Sequence, residues 1–266
     1  MDMERPNSAQ ATRMVFETQG NGDPVVMIHG LGGTANVWGA QAQTLARHFT
    51  VIRPDLAGSG RTALDGEAIS IEQFVQDVVA LMDHLGVQSA HLVAHSMGTI
   101  VCQHLAAWHP ERVRSLALFG PIAEPSAPAR EAIRARAQKC RAEGMLPVAD
   151  AVVQGGTSAD TKANRPEVAA FVREIMMRQD AEGYAQTCEA LAAAQAADAS
   201  RITCPTLLVT GDEDGTALPA AARALTARIS GATLQILGRC GHWTPLERAA
   251  EVTDALTGFY FSTVFA

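Results

Sequence analysis

The sequence HLVAHSMG, residues 91–98, joins an apolar run typical of a buried strand to a segment with helical spacing. Two small residues, Ala94 and Gly98, lie two positions before and two positions after Ser96. A serine at a tight turn from strand to helix has a strained backbone, and large side chains at those flanking positions would collide with neighbouring backbone. The pattern therefore predicts that Ser96 is presented as a nucleophile at the carboxyl end of a strand.

A serine hydroxyl becomes a good nucleophile only when a base takes its proton and an acid orients that base. Two later strand-like runs lead into the acidic loop GDED, residues 211–214, and into the loop GRCGH, residues 238–242. His242 is the only histidine after the acidic loop. Because carboxyl ends of parallel strands meet at one edge of a sheet, we expect Ser96, an acid of residues 212–214 and His242 to lie together.

Acyl transfer also needs two backbone N–H groups that stabilise the negative charge on the attacked carbonyl oxygen. The N–H of Met97, directly after the nucleophile, is one candidate. The second is expected from the glycine-rich loop HGLGG, residues 29–33, which follows an earlier strand-like run.

Short apolar runs alternate with segments of helical spacing along most of the chain, a pattern typical of a mostly parallel sheet with helices on both faces. The all-round apolarity of these runs predicts strands buried on both faces. The predicted strands are residues 25–29, 51–54, 91–94, 115–119, 206–210 and 233–237.

Two segments carry helix-start patterns. Ser70 and Gln73 match a capping box before a helix that Gly86 ends, and Thr244 and Glu247 match a second box, with Thr244 as the cap.

The alternation stops after residue 121, and residues 122–200 are rich in Ala, Arg, Glu and Gln with helical spacing and no convincing strand. We therefore predict an α/β core formed by residues 1–121 and 201–266, interrupted by a helical cap at residues 122–200.

Composition excludes several classes of function. The 266 residues include 21 Lys and Arg against 28 Asp and Glu, a formal charge of −7, which argues against a nucleic-acid partner. Five widely spaced cysteines without a CxxC pair suggest neither a disulfide framework nor a zinc site. The first residues lack a signal-peptide core, and no apolar run reaches the roughly 18 residues of a membrane span. We expect a cytoplasmic protein without metal or membrane partner; the oligomeric state is not predicted.

Five segments, in this order, resemble the motifs of the α/β-hydrolase family. They are HGLGG at 29–33, RPDLAGSGRT at 53–62, AHSMG at 94–98, GDED at 211–214 and GRCGH at 238–242. The resemblance covers essentially the whole chain. It implies a Ser96, Asp214 and His242 triad, with Asp214 preferred to Asp212, and it implies that Leu31 supplies the second oxyanion N–H and that no cofactor is needed.

Within that family, the cap segments at 141–145 and 180–194 are similar to those of 3-oxoadipate enol-lactonases. This similarity implies a small-molecule ester or enol-lactone substrate, hydrolysed through an acyl-enzyme. Trp243, directly after His242, is more similar to hydrolases that cleave carbon–carbon bonds of diketone ring-fission products. Carbon–carbon hydrolysis, cofactor-free perhydrolysis and a role as a triad-retaining ligand receptor or regulatory protein are therefore the alternatives.

Several large apolar side chains are candidates for lining the substrate pocket. They lie near the glycine-rich loop 29–33, in the cap and directly after His242. They are Trp38, Phe171, Met176, Met177, Tyr184 and Trp243.

Other polar residues near the predicted site have structural interpretations. We expect His29, His95, Asp55 and Asp212 to hydrogen-bond loop backbone. The cap arginines Arg134, Arg173 and Arg178 are expected to be solvated.

Overall fold

A computed structural model describes residues 14–64, 66 and 68–261, and its strands form one seven-stranded sheet in the order β1-β3-β2-β4-β5-β6-β7. The strands are β1 Phe16–Gln19, β2 Asp23–Ile28, β3 Phe49–Pro54, β4 Ala90–His95, β5 Val113–Phe119, β6 Thr206–Gly211 and β7 Thr233–Leu237. β1 pairs antiparallel with β3, and every other pair is parallel.

The six predicted strands are present, but two features of the sheet differ from the prediction. β1 was not predicted, because its sequence FETQ is short and mostly polar and it is extended through its pairing with β3 at the edge of the sheet. β7 is not buried on both faces, since Thr233 and Gln235 are exposed. It is the other edge strand and has a neighbour only on one side.

The sheet separates two apolar cores, as expected for helices on both faces. Val25 and Met27 of β2 point into one core, and Val26 and Ile28 point into the other. The period of two along a strand causes this alternation. The described part of the chain has eleven α-helices: α1 Gly39–Leu45, α2 Ile71–His84, α3 Met97–Trp108, α4 Ala127–Glu143, α5 Leu146–Gly156, α6 Ala159–Asn164, α7 Pro166–Met177, α8 Ala181–Ala193, α9 Pro219–Thr226, α10 Thr244–Glu247 and α11 Ala249–Phe259.

Helices α4 to α8 lie between β5 and β6, so the predicted α/β architecture with an inserted helical cap is confirmed. The boundaries of that cap at residues 122 and 200 stay a prediction. Among residues 14–64, 66 and 68–261, no helix combines the length and apolarity that crossing a membrane requires. Nor do the described side chains include a cluster of three or more His, Cys, Asp or Glu suited to a metal ion.

The two predicted helix starts have different outcomes. The Ser70 hydroxyl accepts a hydrogen bond from the Gln73 N–H at 3.0 Å, as the capping box predicts. Thr244 is not a cap, however, because it is the first residue of α10 and the cap position belongs to Trp243. The Glu247 carboxylate accepts the Trp243 N–H at 3.1 Å, so the glutamate bonds to the residue before the predicted cap.

Candidate active site

Ser96 lies in the turn between β4 and α3 with φ 53° and ψ −123°, a conformation that costs a non-glycine residue about 1–3 kcal/mol. Its N–H donates to the Phe119 carbonyl at 2.9 Å, which ties the turn to the neighbouring strand β5. A Cβ at Gly98 would lie 2.6 Å from the His29 carbonyl oxygen, so α3 starts too close to the end of β2 for a side chain there. This close packing explains why the residue two positions after Ser96 is glycine.

The structure brings together the three residues predicted to react. The Ser96 Oγ lies 2.8 Å from Nε2 of His242, and Nδ1 of His242 lies 2.9 and 3.0 Å from the two carboxylate oxygens of Asp214. Asp212 instead accepts the Cys240 N–H at 3.0 Å and so holds the loop that carries His242. These distances permit proton transfer from the serine hydroxyl to an imidazole that the carboxylate orients.

Asp214 stays ionised in this buried position. Burial by itself would raise the pKa of Asp214, but the adjacent His242 and the N–H groups of Thr216 and Ala217 outweigh burial and hold the pKa at about 2. The two N–H groups donate to Oδ1 of Asp214 at 2.8 and 2.7 Å. The carboxylate is therefore fixed as an acceptor for the proton on Nδ1 of His242.

The glycine-rich loop approaches Ser96 closely. A Cβ at Gly30 would lie 2.7 Å from the Ser96 Cβ, so only glycine fits between the loop and the serine. The Leu31 and Met97 N–H groups have no hydrogen-bond acceptor in the part of the chain that the structure describes. Two unpaired donors beside a buried hydroxyl are what an oxyanion site needs.

A methyl group at Gly30 is expected to separate the loop from Ser96 and lower kcat for ester hydrolysis by about 10²–10³-fold, the effect of losing one oxyanion donor. The backbone of Gly30 itself accommodates alanine, since its φ is not positive. Gly39→Ala is the matched control, because a Cβ at Gly39 would have no atom within 4 Å. Steady-state kinetics of both variants check the prediction, and wild-type kcat in Gly30→Ala would contradict the assignment of this loop.

Two other histidines near Ser96 are held by backbone, as their structural interpretation predicts. His95 donates from Nε2 to the His242 carbonyl at 2.8 Å, and burial, followed by the nearby His242, lowers the pKa of His95 to about 3. His29 donates from Nδ1 to the Gly30 carbonyl and accepts the Leu56 N–H. Both rings are neutral structural supports of the loops that meet at Ser96.

Asp55 is also structural, because its carboxylate accepts the N–H groups of Ala35 and Arg61. As expected, the cap arginines Arg173 and Arg178 are solvated and form surface ion pairs.

Four of the six candidate pocket residues lie in the buried core shared by the sheet and the cap, and two do not. Met176 and Tyr184 contact the glycine-rich loop 29–33, since a Cβ at Gly32 would collide with the Met176 sulfur and lie 3.1 Å from the Tyr184 ring. The Trp243 ring lies 5.4 Å from the His95 ring, and Trp38 stacks edge-on against Phe119.

Phe171 and Met177 are not brought to the site. They are 38% and 37% exposed and lie on the outer face of α7, whereas Val172 and Met176 of the same helix are buried. Helical spacing alone does not distinguish the two faces when both carry apolar residues.

Sequence reasoning missed two charged residues near the site. The sequence pattern indicates only a helix-capping role for Glu247, yet its carboxylate is fully buried and also accepts the N–H of Gly241, next to His242. Arg136, on α4, is partly buried with its guanidinium beside the Tyr184 hydroxyl and the Cys188 thiol, and none of the described carboxylates pairs with it. The only sequence signal for Arg136 is its place in a cap helix, which it shares with exposed arginines.

Known proteins are similar to this chain over most of its length. A family model described as alpha/beta hydrolase fold matches residues 23–249. The 3-oxoadipate enol-lactonase 2 of Acinetobacter baylyi is 30% identical over 86% of both chains. The 2-hydroxymuconate semialdehyde hydrolase of a Pseudomonas species is 29% identical over 94% of this chain and 91% of its own length. A thermophilic esterase from Thermogutta terrifontis, solved with malate bound, has a TM-score of 0.90 and 28% identity, covering 95% of this chain and 94% of that one.

Proposed function

The chain belongs to the α/β-hydrolase fold family, and from this premise we propose that it is a serine hydrolase that cleaves a carboxylic ester or enol-lactone through an acyl-enzyme. The observation that carries the proposal is the hydrogen-bonded series Ser96, His242 and Asp214, with contacts of 2.8 and 2.9 Å. The N–H groups of Leu31 and Met97, which have no acceptor among the described residues, support it further.

In the first half of the proposed reaction, the Ser96 Oγ attacks the carbonyl carbon while its proton passes to Nε2 of His242. The Leu31 and Met97 N–H groups stabilise the oxyanion, and Asp214 stabilises the positive charge that forms on His242. The tetrahedral intermediate then collapses, the carbon–oxygen bond of the leaving group breaks, and His242 gives its proton to that oxygen.

In the second half, His242 takes a proton from water as the water oxygen attacks the acyl carbon. Collapse of this second tetrahedral intermediate returns the proton to the Ser96 Oγ and releases the carboxylic acid. This chain's own residues supply every proton transfer, so the proposal includes no metal or organic cofactor.

We further propose that the substrate carries a carboxylate, which Arg136 binds. Arg136 lies beside the Tyr184 hydroxyl, and the Tyr184 ring contacts the glycine-rich loop 29–33 at Gly32, so the guanidinium is one side chain away from that loop. A partly desolvated guanidinium that pairs with none of the described carboxylates suits an anionic ligand. The names of the similar proteins agree, since 3-oxoadipate is a dicarboxylate and the esterase was solved with malate, another dicarboxylate.

Replacing Arg136 with methionine is expected to raise KM for a dicarboxylic acid monoaryl ester by about 10- to 100-fold, because a hydrogen bond to a charged group contributes about 1.5–3 kcal/mol. A neutral aryl ester with the same leaving group should keep its KM within about two-fold. Arg134→Met on the exposed face of α4 is the matched control. Equal losses on both esters would exclude carboxylate binding by Arg136 and leave ester hydrolysis standing.

A substrate panel tests the reaction itself. Turnover of aryl esters or enol-lactones supports the proposal. Selective turnover of a diketone would favour carbon–carbon hydrolysis, which Trp243 and the semialdehyde hydrolase relative support. Peroxide-dependent oxidation in the presence of a carboxylic acid would favour perhydrolysis, and tight retention of a ligand without turnover would favour a receptor.

We place the protein in the cytoplasm, and five free cysteines, four of them buried, support a reducing compartment.

A further inference from the structure

The carboxylate of Glu247 is fully buried and accepts four hydrogen bonds, all from neutral donors. Its Oε2 accepts the Ser158 N–H at 2.7 Å, the Thr161 hydroxyl at 2.8 Å and the Gly241 N–H at 3.1 Å. Its Oε1 accepts the Trp243 N–H at 3.1 Å. Burying a carboxylate is unfavourable unless hydrogen-bond donors replace its water. The four hydrogen bonds must therefore offset the free energy of removing the Glu247 carboxylate from water.

Two of the four donors flank His242 on either side along the chain. The His242 N–H itself donates to the Gly156 carbonyl at 2.8 Å, and the His242 carbonyl accepts from Nε2 of His95 at 2.8 Å. Three consecutive N–H groups, those of residues 241–243, are therefore bound to Glu247 and to the cap. The orientation of the imidazole between Ser96 and Asp214 depends on this main chain.

The other two donors belong to the cap, at the start of α6. A Cβ at Gly241 would lie 2.7 Å from the Ser158 nitrogen, 2.8 Å from the Gly156 carbonyl oxygen and 2.8 Å from Oε1 of Glu247. The loop that carries His242 and the cap segment 156–161 thus meet too closely for a side chain. The Glu247 carboxylate lies between them and binds both.

We propose that Glu247 is a positioning residue, whose carboxylate holds the main chain on both sides of His242 against the cap segment 156–161 and so fixes the imidazole for proton transfer. This inference rests on the proposed function, in which His242 is the base. It requires an acceptor at both oxygens, because each oxygen faces at least one donor. Glutamine has the same size but replaces one acceptor with an N–H donor that faces the N–H of Trp243 or the three donors at Oε2.

The test is Glu247→Gln, assayed on a short-chain aryl ester. A base displaced by a fraction of an ångström slows the chemical step more than binding, so kcat should fall by roughly 10²-fold while KM stays within about three-fold. Glu251→Gln is the matched control, since Glu251 is an exposed glutamate in the first turn of the next helix, α11. Circular dichroism and a thermal melt confirm that each variant is folded at the assay temperature.

A spectroscopic readout separates positioning from a general loss of stability. The proton NMR signal of the imidazole N–H bonded to Asp214 should shift or broaden in Glu247→Gln and stay unchanged in Glu251→Gln. Thr161→Val, which removes one cap donor at constant size, should lower kcat in the same direction by a smaller factor and keeps the test possible if Glu247→Gln does not fold.

A folded Glu247→Gln with wild-type kcat, or one with an unchanged imidazole signal, would overturn the inference. If Glu247→Gln does not fold, wild-type kcat in Thr161→Val would overturn it. Failure of the proposed function would look different: the wild-type protein itself would neither hydrolyse esters nor react at Ser96 with a fluorophosphonate.

Discussion

Replacing Ser96 with alanine is expected to lower kcat for ester hydrolysis by about 10⁴- to 10⁶-fold, because it removes the oxygen that forms the acyl-enzyme in the proposed reaction. The residual rate would come from the oxyanion groups and from substrate binding. KM should change little, since the Ser96 hydroxyl contacts His242, at 2.8 Å, and carries little of the substrate binding. Steady-state kinetics on a short-chain aryl ester measure the effect.

A fluorophosphonate probe gives a second measurement that does not depend on the choice of substrate. It should label the wild-type protein on the peptide containing Ser96 and leave Ser96→Ala unlabelled. Ser89→Ala is the control, because the Ser89 hydroxyl accepts a hydrogen bond from the exposed Arg114 side chain and Ser89 directly precedes β4, at the end of that strand opposite Ser96. Wild-type turnover in Ser96→Ala would show that another residue is the nucleophile.

The parts of the site that sequence predicts are those fixed by local geometry. The turn at Ser96 requires a small residue two positions later, and the structure gives the reason in the 2.6 Å that would separate a Gly98 Cβ from the His29 carbonyl. The buried strand β4 is equally local, because residues 92–94 form a short apolar run directly before the turn. Their carboxyl ends necessarily share one edge of a parallel sheet, so Ser96 and His242 meet although they are 146 residues apart.

Residues that depend on distant packing were not predictable in the same way. The sequence around Glu247 shows a helix start, but the Ser158 N–H that it binds is 89 residues away. Phe171 and Met176 both have large apolar side chains in one helix, and only the packing of α7 decides that Met176 faces the glycine-rich loop 29–33. The edge strand β1 is not predicted from the sequence for a related reason. Its pairing with β3, and not an apolar periodicity, makes the segment extended.

The acid of the proposed triad is only partly predictable from the sequence. From the residues alone, each acid of the loop 212–214 is a candidate, and the family resemblance favours Asp214. The structure gives the two aspartates distinct contacts: Asp214 binds His242, and Asp212 binds the N–H of Cys240. Replacing each aspartate with asparagine, which has the same size, therefore compares the aspartate that contacts His242 with the aspartate that holds the loop.

Asp214→Asn is expected to lower kcat by about 10⁴-fold, and the surrounding hydrogen bonds explain why. Oδ1 of Asp214 accepts two N–H groups, those of Thr216 and Ala217, so the amide oxygen of asparagine should take that position. The amide nitrogen then replaces Oδ2, 2.9 Å from Nδ1 of His242, and donates to it. Nδ1 must become an acceptor, the ring proton moves to Nε2, and Nε2 no longer takes the proton of the Ser96 hydroxyl.

Asp212→Asn is the matched control and should keep kcat within a few-fold of the wild-type value, since Asp212 binds loop N–H groups such as that of Cys240 and asparagine keeps an oxygen that can accept them. Equal losses in the two variants would contradict the assignment of Asp214.

The pH dependence of activity provides a further check on Asp214. The pKa of Asp214 is lowered from 3.8 to about 2, so its ionised contacts are complete above pH 3.8 and are lost only as the pH falls towards 2. Any decline of wild-type activity between pH 7 and pH 5 must therefore come from a group other than Asp214.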